Sequence, residues 1–275
     1  MIKIHWCGRF GNNLFQYCMA RIISENLKFN VEFPNINKQN FGNLTNYLKY
    51  LPNLSNISKY DDKDCLNKSL EILGGHKIYL DKVLNNKDIR AILLNGYYQR
   101  YEYYKNYKDM IKNDWLKIVK KPKYMVGDND IVIHIRLGDL KCNDRISKEG
   151  LLVCPQSYYE SILDNGKWDN VWIVTEDSGH RMVQNLKEKY NATVVSDSVL
   201  DDFILINSAN YIVLSISTLA WWAAWLSNAK EIYFPLLGWW HHQSKRKDID
   251  IRVNENRYIY CDVCDGFKRY QYEDL

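Results

Sequence analysis

Residues 131–140, IVIHIRLGDL, join a short apolar run to an imidazole, a guanidinium and a carboxylate. Alternation along a strand places His134 and Arg136 on the same side of a sheet, and the chain turns at Gly138. The Arg136 guanidinium is a planar fork of donors that suits a phosphate or a carboxylate. Because a charge beside a buried run needs a partner, the stretch favours a ligand, with pairing of Arg136 to Asp139 as the alternative.

A second group of polar side chains lies in residues 214–226, LSISTLAWWAAWL, where a strand predicted at residues 211–214 gives way to a helix. Ser217 and Thr218 fall at this junction, where hydroxyls and the N–H groups of a first helical turn can hold an anion. Helix capping is the alternative, since Ser and Thr cap helices regardless of function. The helix is apolar all round, which is more typical of tryptophans in a core than on a sugar-binding platform.

The second half of the chain contains two pairs of carboxylates next to the ends of predicted strands or helices. Glu176 and Asp177 come at the end of a predicted strand, and Asp201 and Asp202 open a predicted helix. Carboxylates in such places can accept hydrogen bonds from the N1–H and amino group of guanine or from a ribose hydroxyl. Compensation of the helix dipole is the alternative for the second pair.

The segment GRFGNN, residues 8–13, connects the first predicted strand to the first predicted helix. Gly8 and Gly11 allow a tight turn and a close approach of the backbone to a ligand. The segment is neither a GxGxxG nor a Walker loop, so by itself it is a weak signal.

Metal chemistry is not indicated. DND at residues 128–130 and DID at residues 248–250 have the spacing of metal-binding carboxylates, but the first precedes a strand and the second lies in a charged segment. Cys261 and Cys264 form a CxxC without a second pair or a nearby His, which is poor evidence for zinc or redox chemistry. We therefore expect no metal ion and no other cofactor.

The elements that must position these groups follow an α/β pattern. Apolar runs predict strands in the second half of the chain at residues 131–135, 171–175, 193–195, 211–214 and 231–234. The segments between them are long enough for crossover helices, so a parallel sheet covered on both faces is expected. The first half predicts strands at residues 2–6 and 91–96, a helix at 12–28 and a helical segment at 97–117.

Two domains account for this pattern. The basic stretch at residues 120–130, KKPKYMVGDND, is the best candidate linker. We predict an N-terminal Rossmann-like domain at residues 1–125 and a C-terminal Rossmann-like domain at residues 126–275. Two such domains place a ligand at the carboxyl ends of the strands, which is where HIRLGD lies.

The composition restricts the class of protein. The chain of 275 residues is 46% hydrophobic and 25% charged with a net charge of +4, as expected of a soluble globular protein. No basic stripe interleaved with aromatics is present, so nucleic acid is not expected as a partner. No apolar stretch approaches the roughly 20 residues of a membrane span, and the first residues lack a signal-peptide pattern. We predict a cytoplasmic protein with seven reduced cysteines, and leave open peripheral association with the cytoplasmic face of the membrane.

The three motifs, in this order, resemble those of the alpha-1,2-fucosyltransferases and, more distantly, the alpha-1,6- and protein O-fucosyltransferases. GRFGNNLFQY is similar to the family's G-[RG]-[LF]-G-N-Q-[ML]-x-x-Y element, HIRLGD to H-x-R-R-x-D, and LSISTLAWWAAWL to N-S-[ST]-F-S-W-W-[GA]-A-x-L. TEDSGH and DDFILI occupy the places of the S-D-D and D-[LF]-x-L-M segments. The resemblance covers about residues 4–240 and implies a GT-B fold, with two Rossmann-like domains facing each other across a cleft.

The resemblance implies transfer of L-fucose from GDP-fucose to an oligosaccharide or glycoconjugate, at the 2-OH of a galactose-type sugar, with inversion and without metal. It assigns catalysis to Arg136, which would bind the diphosphate, and to Asp139. The donor contacts that it implies are His134, Arg136, Glu176, Asp177, Asp202, Ser215, Ser217 and Thr218. The residues implied on the sugar and acceptor side are Gly8, Arg9, Phe10, Gly11 and Asn12.

The chain departs from the family pattern at several motif positions. Leu137 replaces the second Arg of H-x-R-R-x-D, which shifts the binding of the diphosphate to Arg136 alone. The other departures are Asn13 for Gln, Ile216 for Asn, and Leu219 with Ala220 for Phe-Ser. Three alternatives therefore stay open: another GDP-6-deoxysugar as donor, a different sugar nucleotide, and a noncatalytic nucleotide-sugar or glycan-binding protein of the same fold.

Overall fold

The computed structural model of the protein describes residues 1–34, 45–55, 58–60, 70–86, 88–140, 152–263 and 267–275. The chain forms two compact units. The first comprises Met1–Lys120 and Lys247–Ile251, and the second comprises Lys121–Arg246 and Arg252–Leu275. The α/β class with two mostly parallel sheets, one in each unit, is confirmed.

The first unit contains a five-stranded sheet with the order β3-β2-β1-β5-β4, and every pair of neighbouring strands is parallel. The strands are β1 (Ile2–His5), β2 (Val31–Pro34), β3 (Ser58–Tyr60), β4 (Leu70–Leu73) and β5 (Ile92–Asn95). The α-helices of this unit are α1 (Phe10–Leu27), α2 (Pro52–Ser55), α3 (Leu80–Leu84) and α4 (Lys108–Met110). A 3-10 helix at Thr45–Tyr50 precedes α2.

Helix α1 forms where the apolar stripe predicted it. Leu14, Phe15 and Ile22 are at most 1% exposed, so the stripe is buried. The helix ends at Lys28, whose backbone adopts the left-handed conformation and whose N–H donates to the Ser24 carbonyl at 2.8 Å.

The helical segment predicted at residues 97–117 forms a series of short helical turns between Tyr101 and Trp115 in place of one continuous α-helix. The chain there forms 3-10 turns at Tyr101–Tyr103 and Lys105–Tyr107, then α4, and then one π-helical turn at Ile111–Trp115. The Tyr104 hydroxyl, which is buried, donates to the Tyr98 carbonyl at 2.8 Å and lies 3.1 Å from the Phe15 carbonyl. These tertiary contacts of large aromatic side chains override the local helical pattern.

The second unit contains a seven-stranded sheet with the order β12-β11-β10-β9-β6-β7-β8. Its strands are β6 (Ile131–Ile135), β7 (Val171–Thr175), β8 (Thr193–Val195), β9 (Tyr211–Val213), β10 (Glu231–Leu236), β11 (Tyr258–Asp262) and β12 (Lys268–Tyr270). The first six run parallel, and β12 pairs antiparallel with β11. The helices are α5 (Gln156–Leu163), α6 (Arg181–Tyr190), α7 (Val199–Ser208) and α8 (Thr218–Trp225). A 3-10 helix at Gly238–Trp240 follows β10, and another at Tyr272–Asp274 follows β12.

The core of the second unit contains the predicted strand and the predicted apolar helix. All five residues of β6 are buried, because the strand lies in the interior of the sheet between β9 and β7. Trp221, Trp222 and Trp225 of α8 are 0% exposed, and the rings of Trp221 and Trp225 stack at 5.2 Å between centroids. The tryptophans are core residues, as the all-apolar helix predicted.

A buried carboxylate holds the start of β6. Asp130 is 2% exposed, and its carboxylate accepts hydrogen bonds from the Gly127 N–H at 2.8 Å, Asn170 Nδ2 at 2.8 Å and Trp172 Nε1 at 3.0 Å. Burial by itself would raise the pKa of Asp130, but these hydrogen bonds outweigh it and the pKa lies below its usual value. This carboxylate of the DND segment therefore serves the fold.

We expect Asp130→Ala to lower the free energy of unfolding by about 1 to 3 kcal/mol at neutral pH, because it removes the hydrogen bonds that Gly127, Asn170 and Trp172 donate to a buried carboxylate. A carboxyl with a depressed pKa stabilises the fold above its unfolded pKa, and this stability is lost as the pH falls through the folded pKa. The difference between wild type and variant should therefore shrink in acid. Urea unfolding at a series of pH values measures it, with Asp128→Ala, an exposed neighbour, as the control. Equal stability of wild type and Asp130→Ala at neutral pH would contradict the structural role.

Candidate functional site

The carboxyl ends of three neighbouring strands carry most of the predicted donor contacts. Arg136 follows β6, Glu176 follows β7, and Ser215 and Ser217 follow β9. Because β6 pairs with both β7 and β9 in parallel, these ends meet at one edge of the sheet. The structure thus brings together, within the second unit, residues that are far apart in the sequence.

Arg136 lies at the boundary between the buried strand and the surface. Its side chain is 22% exposed, and its Nε lies 3.4 Å from Oε1 of Glu176, whose side chain is 33% exposed. The same Oε1 accepts a hydrogen bond from the Leu137 N–H at 3.0 Å. Glu176 is thus a carboxylate partner of Arg136, and the side chain of Asp139 lies outside the described part of the structure. A half-buried guanidinium at a strand end is well placed for an anionic ligand.

His134 ties β6 to the turn after β9. The imidazole is 4% exposed, and its Nδ1 lies 2.6 Å from the Ser215 hydroxyl, which is 1% exposed. Burial, with a smaller contribution from the charge of Arg136, lowers the pKa of His134 to about 3. The ring is thus neutral at physiological pH, and it helps to fix the loop that carries Ser217. Its predicted contact with the donor stays a prediction.

The hydroxyl of Ser217 caps α8. Helix α8 begins at Thr218, as the sequence predicts, and the Ser217 side chain accepts from the Ala220 N–H at 3.5 Å. Ser217 is 8% exposed and Thr218 is half-buried. Capping accounts for the Ser217 hydroxyl in the structure, and binding of an anion by this turn stays a prediction.

Asp201 and Asp202, the predicted pair of carboxylates at the start of α7, have different roles. Asp201 accepts a hydrogen bond from the Ser198 hydroxyl at 2.6 Å and so belongs to the cap of α7, whereas Asp202 is half-buried and accepts from the Asp197 N–H at 3.3 Å. Burial, reinforced by the charges of Asp197, Asp201 and Glu176, raises the pKa of Asp202 to about 7. Such a perturbed carboxyl at a strand-end cluster is a candidate for ligand binding.

Asp177 has a different environment. Its backbone N–H donates to Thr175 Oγ1 at 3.2 Å, which shapes the turn after β7, and its side chain is half-buried. The predicted contact of Asp177 with the donor stays a prediction.

The glycine-containing turn of the first unit is tightly built. Gly8 has a φ of 74°, and a methyl group at this position would lie 2.1 Å from Nδ2 of Asn12. Oδ1 of Asn12 accepts a hydrogen bond from Nε2 of Gln99 at 2.9 Å. Phe10 and Gly11 open α1 and are buried, while Arg9 precedes the helix and is exposed. Glycine is thus required at position 8 for both backbone conformation and space.

A network of buried amides behind this turn was not predicted. Gln16, 0% exposed, donates from Nε2 to the Gly96 carbonyl at 2.9 Å, and its Oε1 accepts from Nδ2 of Asn13 at 3.1 Å. Nδ2 of Asn13 also donates to the Cys7 carbonyl at 3.3 Å. Two amides on the apolar side of α1 are the signal in the sequence that could have revealed this network, since buried amides need partners.

Within the described residues, no three His, Cys, Asp or Glu side chains form a group that could hold a metal ion. The described cysteines, Cys7, Cys18, Cys154 and Cys261, are free thiols, and Cys264 lies outside the described residues. None of the described helices combines the length and apolar character needed to cross a bilayer.

Comparison with known proteins gives one family match. A family model described as Glycosyl transferase family 11 matches residues 1–259. No curated protein sequence matches the chain significantly.

Several solved structures are similar in fold. The dodecameric iron-containing glycosyltransferase TibC from enterotoxigenic E. coli H10407 has a TM-score of 0.41 at 11% identity, covering 86% of this chain. The chain spans 57% of the length of TibC. POFUT1 in complex with GDP-fucose has a TM-score of 0.44 at 10% identity, covering 89% of this chain and 95% of POFUT1. The ADP-heptose LPS heptosyltransferase II of E. coli has a TM-score of 0.41 at 11% identity, covering 94% of this chain and 92% of the enzyme. At these identities the likeness concerns the fold alone.

Proposed function

The chain belongs to glycosyl transferase family 11, the alpha-1,2-fucosyltransferase family, and from that premise we propose that it transfers L-fucose from GDP-fucose to a sugar hydroxyl. The acceptor position that we propose is the 2-OH of a galactose-type sugar, and the reaction inverts the anomeric centre without a metal ion. Family membership supports the coarser statement, a glycosyltransferase that uses a nucleotide sugar.

The observation that carries the proposal is the placement of Arg136. Its half-buried guanidinium lies at the carboxyl edge of a parallel sheet, beside a neutral His134 and the turn that opens α8. Departure of GDP leaves negative charge on the diphosphate, and a cation held in place before the reaction stabilises that charge without reorganisation. A transition state with oxocarbenium character is driven mainly by this departure. Activation of the acceptor hydroxyl by a general base is then less demanding.

Leu137 departs from the family motif at the position of the second arginine. The side chain at this position is 1% exposed, so it belongs to the core and offers no cation to the diphosphate. The second arginine of the family motif thus has no counterpart there. A transferase that uses another GDP-6-deoxysugar is the alternative that the other motif departures, at Asn13, Ile216 and Leu219 with Ala220, leave open.

The first experiment tests the nucleotide. We expect GDP to stabilise the protein against thermal unfolding by about 2.7 kcal/mol at a hundred times its dissociation constant, because ligands that bind only the folded state shift the unfolding equilibrium. UDP and dTDP at the same concentrations are the controls. Stabilisation by UDP or dTDP in place of GDP would overturn the proposed donor.

The second experiment tests the reaction. Release of GDP from GDP-fucose with a galactose-terminated acceptor is measured with and without EDTA, since the proposal includes a reaction without metal. Binding of GDP-fucose without turnover across a broad acceptor panel would favour a noncatalytic binding protein. Transfer from a different GDP-6-deoxysugar would favour the second donor.

A further inference from the structure

We infer that Glu176 is a positioning residue that fixes the guanidinium of Arg136, and that it does not contact the nucleoside. This inference rests on the proposed function, because it concerns the orientation of the cation that faces the diphosphate. It replaces the donor-contact role that the sequence suggested for Glu176 with a role exercised through another side chain.

The first argument is the register of the two strands. Ile135 of β6 pairs with Thr175 of β7, so the next residues along the two chains, Arg136 and Glu176, leave the sheet side by side. Oε1 of Glu176 lies 3.4 Å from Nε of Arg136 and 3.0 Å from the N–H of Leu137, which donates to it. One oxygen atom thus holds both the side chain of Arg136 and the backbone immediately after it.

The second argument is the space that the chain leaves for this carboxylate. Gly138 has a φ of 24°, and a methyl group there would lie 2.6 Å from Oε1 of Glu176. A side chain at position 138 would therefore displace the carboxylate. The same oxygen, Oε1 of Glu176, thus faces the Arg136 cation, accepts from the Leu137 N–H and occupies the space left by the missing side chain of Gly138. These three contacts indicate that the chain is shaped to hold Glu176 in this position.

The third argument concerns what this contact does to the arginine. A guanidinium has its donors in a fixed planar fork, so a carboxylate at Nε sets the orientation of the plane. A phosphate that binds end-on uses the two terminal nitrogens of the fork, and these are not the atom that faces Glu176. If the Arg136 side chain is already ordered before the sugar nucleotide binds, the entropy cost of ordering it is not added to the reaction barrier.

The charge of Glu176 separates positioning from binding. A carboxylate near the diphosphate repels it, so removal of the negative charge does not weaken the binding of GDP. Removal does release the orientation of Arg136 and therefore lowers turnover. Substitution of a residue that contacts the nucleoside weakens GDP binding and leaves turnover largely intact. Substitution of a residue that only supports the fold lowers stability and changes neither GDP binding nor turnover.

The test is Glu176→Gln, which keeps an oxygen for the Leu137 N–H but removes the charge beside Arg136. We expect kcat to fall roughly ten- to a hundredfold, the magnitude typical of a misplaced catalytic group. The dissociation constant for GDP should be unchanged or lower, and the thermal midpoint should be unchanged. Glu188→Gln, an exposed glutamate on α6, is the matched control and should behave as wild type. Weaker GDP binding with kcat retained would overturn the inference, as would lower stability with both kinetic quantities retained.

A second variant tests the recess. Gly138→Ala should lower kcat in the same way, because its methyl group displaces Glu176. The same substitution in a Glu176→Ala background should cost less than it does in the wild type, because the displaced side chain is absent. Equal costs in the two backgrounds would contradict the inference.

Failure of the inference and failure of the proposed function are distinguishable. Wild type that releases GDP from GDP-fucose establishes the function, and the variants then bear on Glu176 alone. Wild type stabilised by UDP or dTDP instead of GDP overturns the donor. The variants are then compared with that nucleotide and its sugar derivative, and the same split between turnover and binding decides the role of Glu176.

Discussion

We expect Arg136→Lys to lower turnover of GDP-fucose by roughly 100- to 1,000-fold, the range found when a preorganised donor to a developing negative charge is removed. Lysine keeps the positive charge, but its ammonium is a compact point charge without a planar fork. Lysine therefore cannot form two parallel hydrogen bonds to the diphosphate. It also lacks the Nε atom that lies 3.4 Å from Oε1 of Glu176 in the wild type, so Glu176 cannot orient its side chain in the same way. The variant separates the geometry of the cation from its charge.

The measurement is kcat for GDP release, together with the thermal midpoint and GDP affinity of the same preparations. Because the Arg136 side chain is 22% exposed, we expect the variant to fold as the wild type does. Arg181→Lys, an exposed arginine on α6, is the matched control and should retain full turnover. Turnover near that of the wild type in Arg136→Lys would contradict a bidentate role for the guanidinium.

The second large effect is expected at Asp202. If its carboxylate accepts hydrogen bonds from guanine, Asp202→Asn replaces half of the acceptor with a donor and should weaken GDP binding about 10- to 100-fold at about pH 8, as expected for hydrogen bonds to a charged group. Because the pKa of Asp202 is raised to about 7, only a minority of wild-type molecules carry the carboxylate at about pH 6. Wild-type affinity should therefore be about tenfold lower there than at about pH 8.

Calorimetric titration of GDP at the two pH values measures this dependence. The diphosphate itself titrates in the same range, so Asp202→Asn serves as the control that retains the phosphate contribution and lacks that of the carboxyl. A wild type and a variant with parallel pH dependence would remove Asp202 from the nucleotide site.

The stability of the free protein gives an independent test of the same group. The pKa of Asp202 is about 7 in the folded protein and about 3.9 in an unfolded chain, so the folded state binds the extra proton between these values. Stability from this carboxyl is therefore highest below about pH 4, falls as the pH rises to about 7, and is level above that. Asp202→Asn should lack this decline and be more stable than the wild type at about pH 8.

The sequence predicts those elements whose position is set by a short stretch of neighbouring residues. Strand β6 forms at Ile131–Ile135 as predicted, because a short, mostly apolar run rich in β-branched residues that ends in polar residues and a glycine favours a buried strand. Helix α8 begins at Thr218 because Ser217 caps it, and the cap is visible in the sequence. The candidate site likewise clusters where parallel strand ends were expected to meet.

The remaining features depend on contacts between distant parts of the chain. The partnership of Glu176 with Arg136 requires that β7 be the neighbour of β6, and a single sequence does not establish the order of strands. The turns at Tyr101–Trp115 depend on the burial of Tyr104 against Phe15, which outweighs local helical propensity. Gln16 and Asn13 are typical surface residues by type, and only their burial shows them to be part of an internal network.

The return of Lys247–Ile251 to the first unit restricts how this protein can be dissected. Tyr101 N–H donates to the Asp250 carbonyl, Asp250 N–H donates to the Gln99 carbonyl, and the Arg100 guanidinium reaches the Lys247 carbonyl. A fragment that stops at Lys120 would leave these backbone groups, and a guanidinium that is largely buried, without those partners. Chimeras between relatives of this family therefore need two junctions in the C-terminal part of the chain as well as one near residue 120, so that the first unit keeps its own Lys247–Ile251 segment.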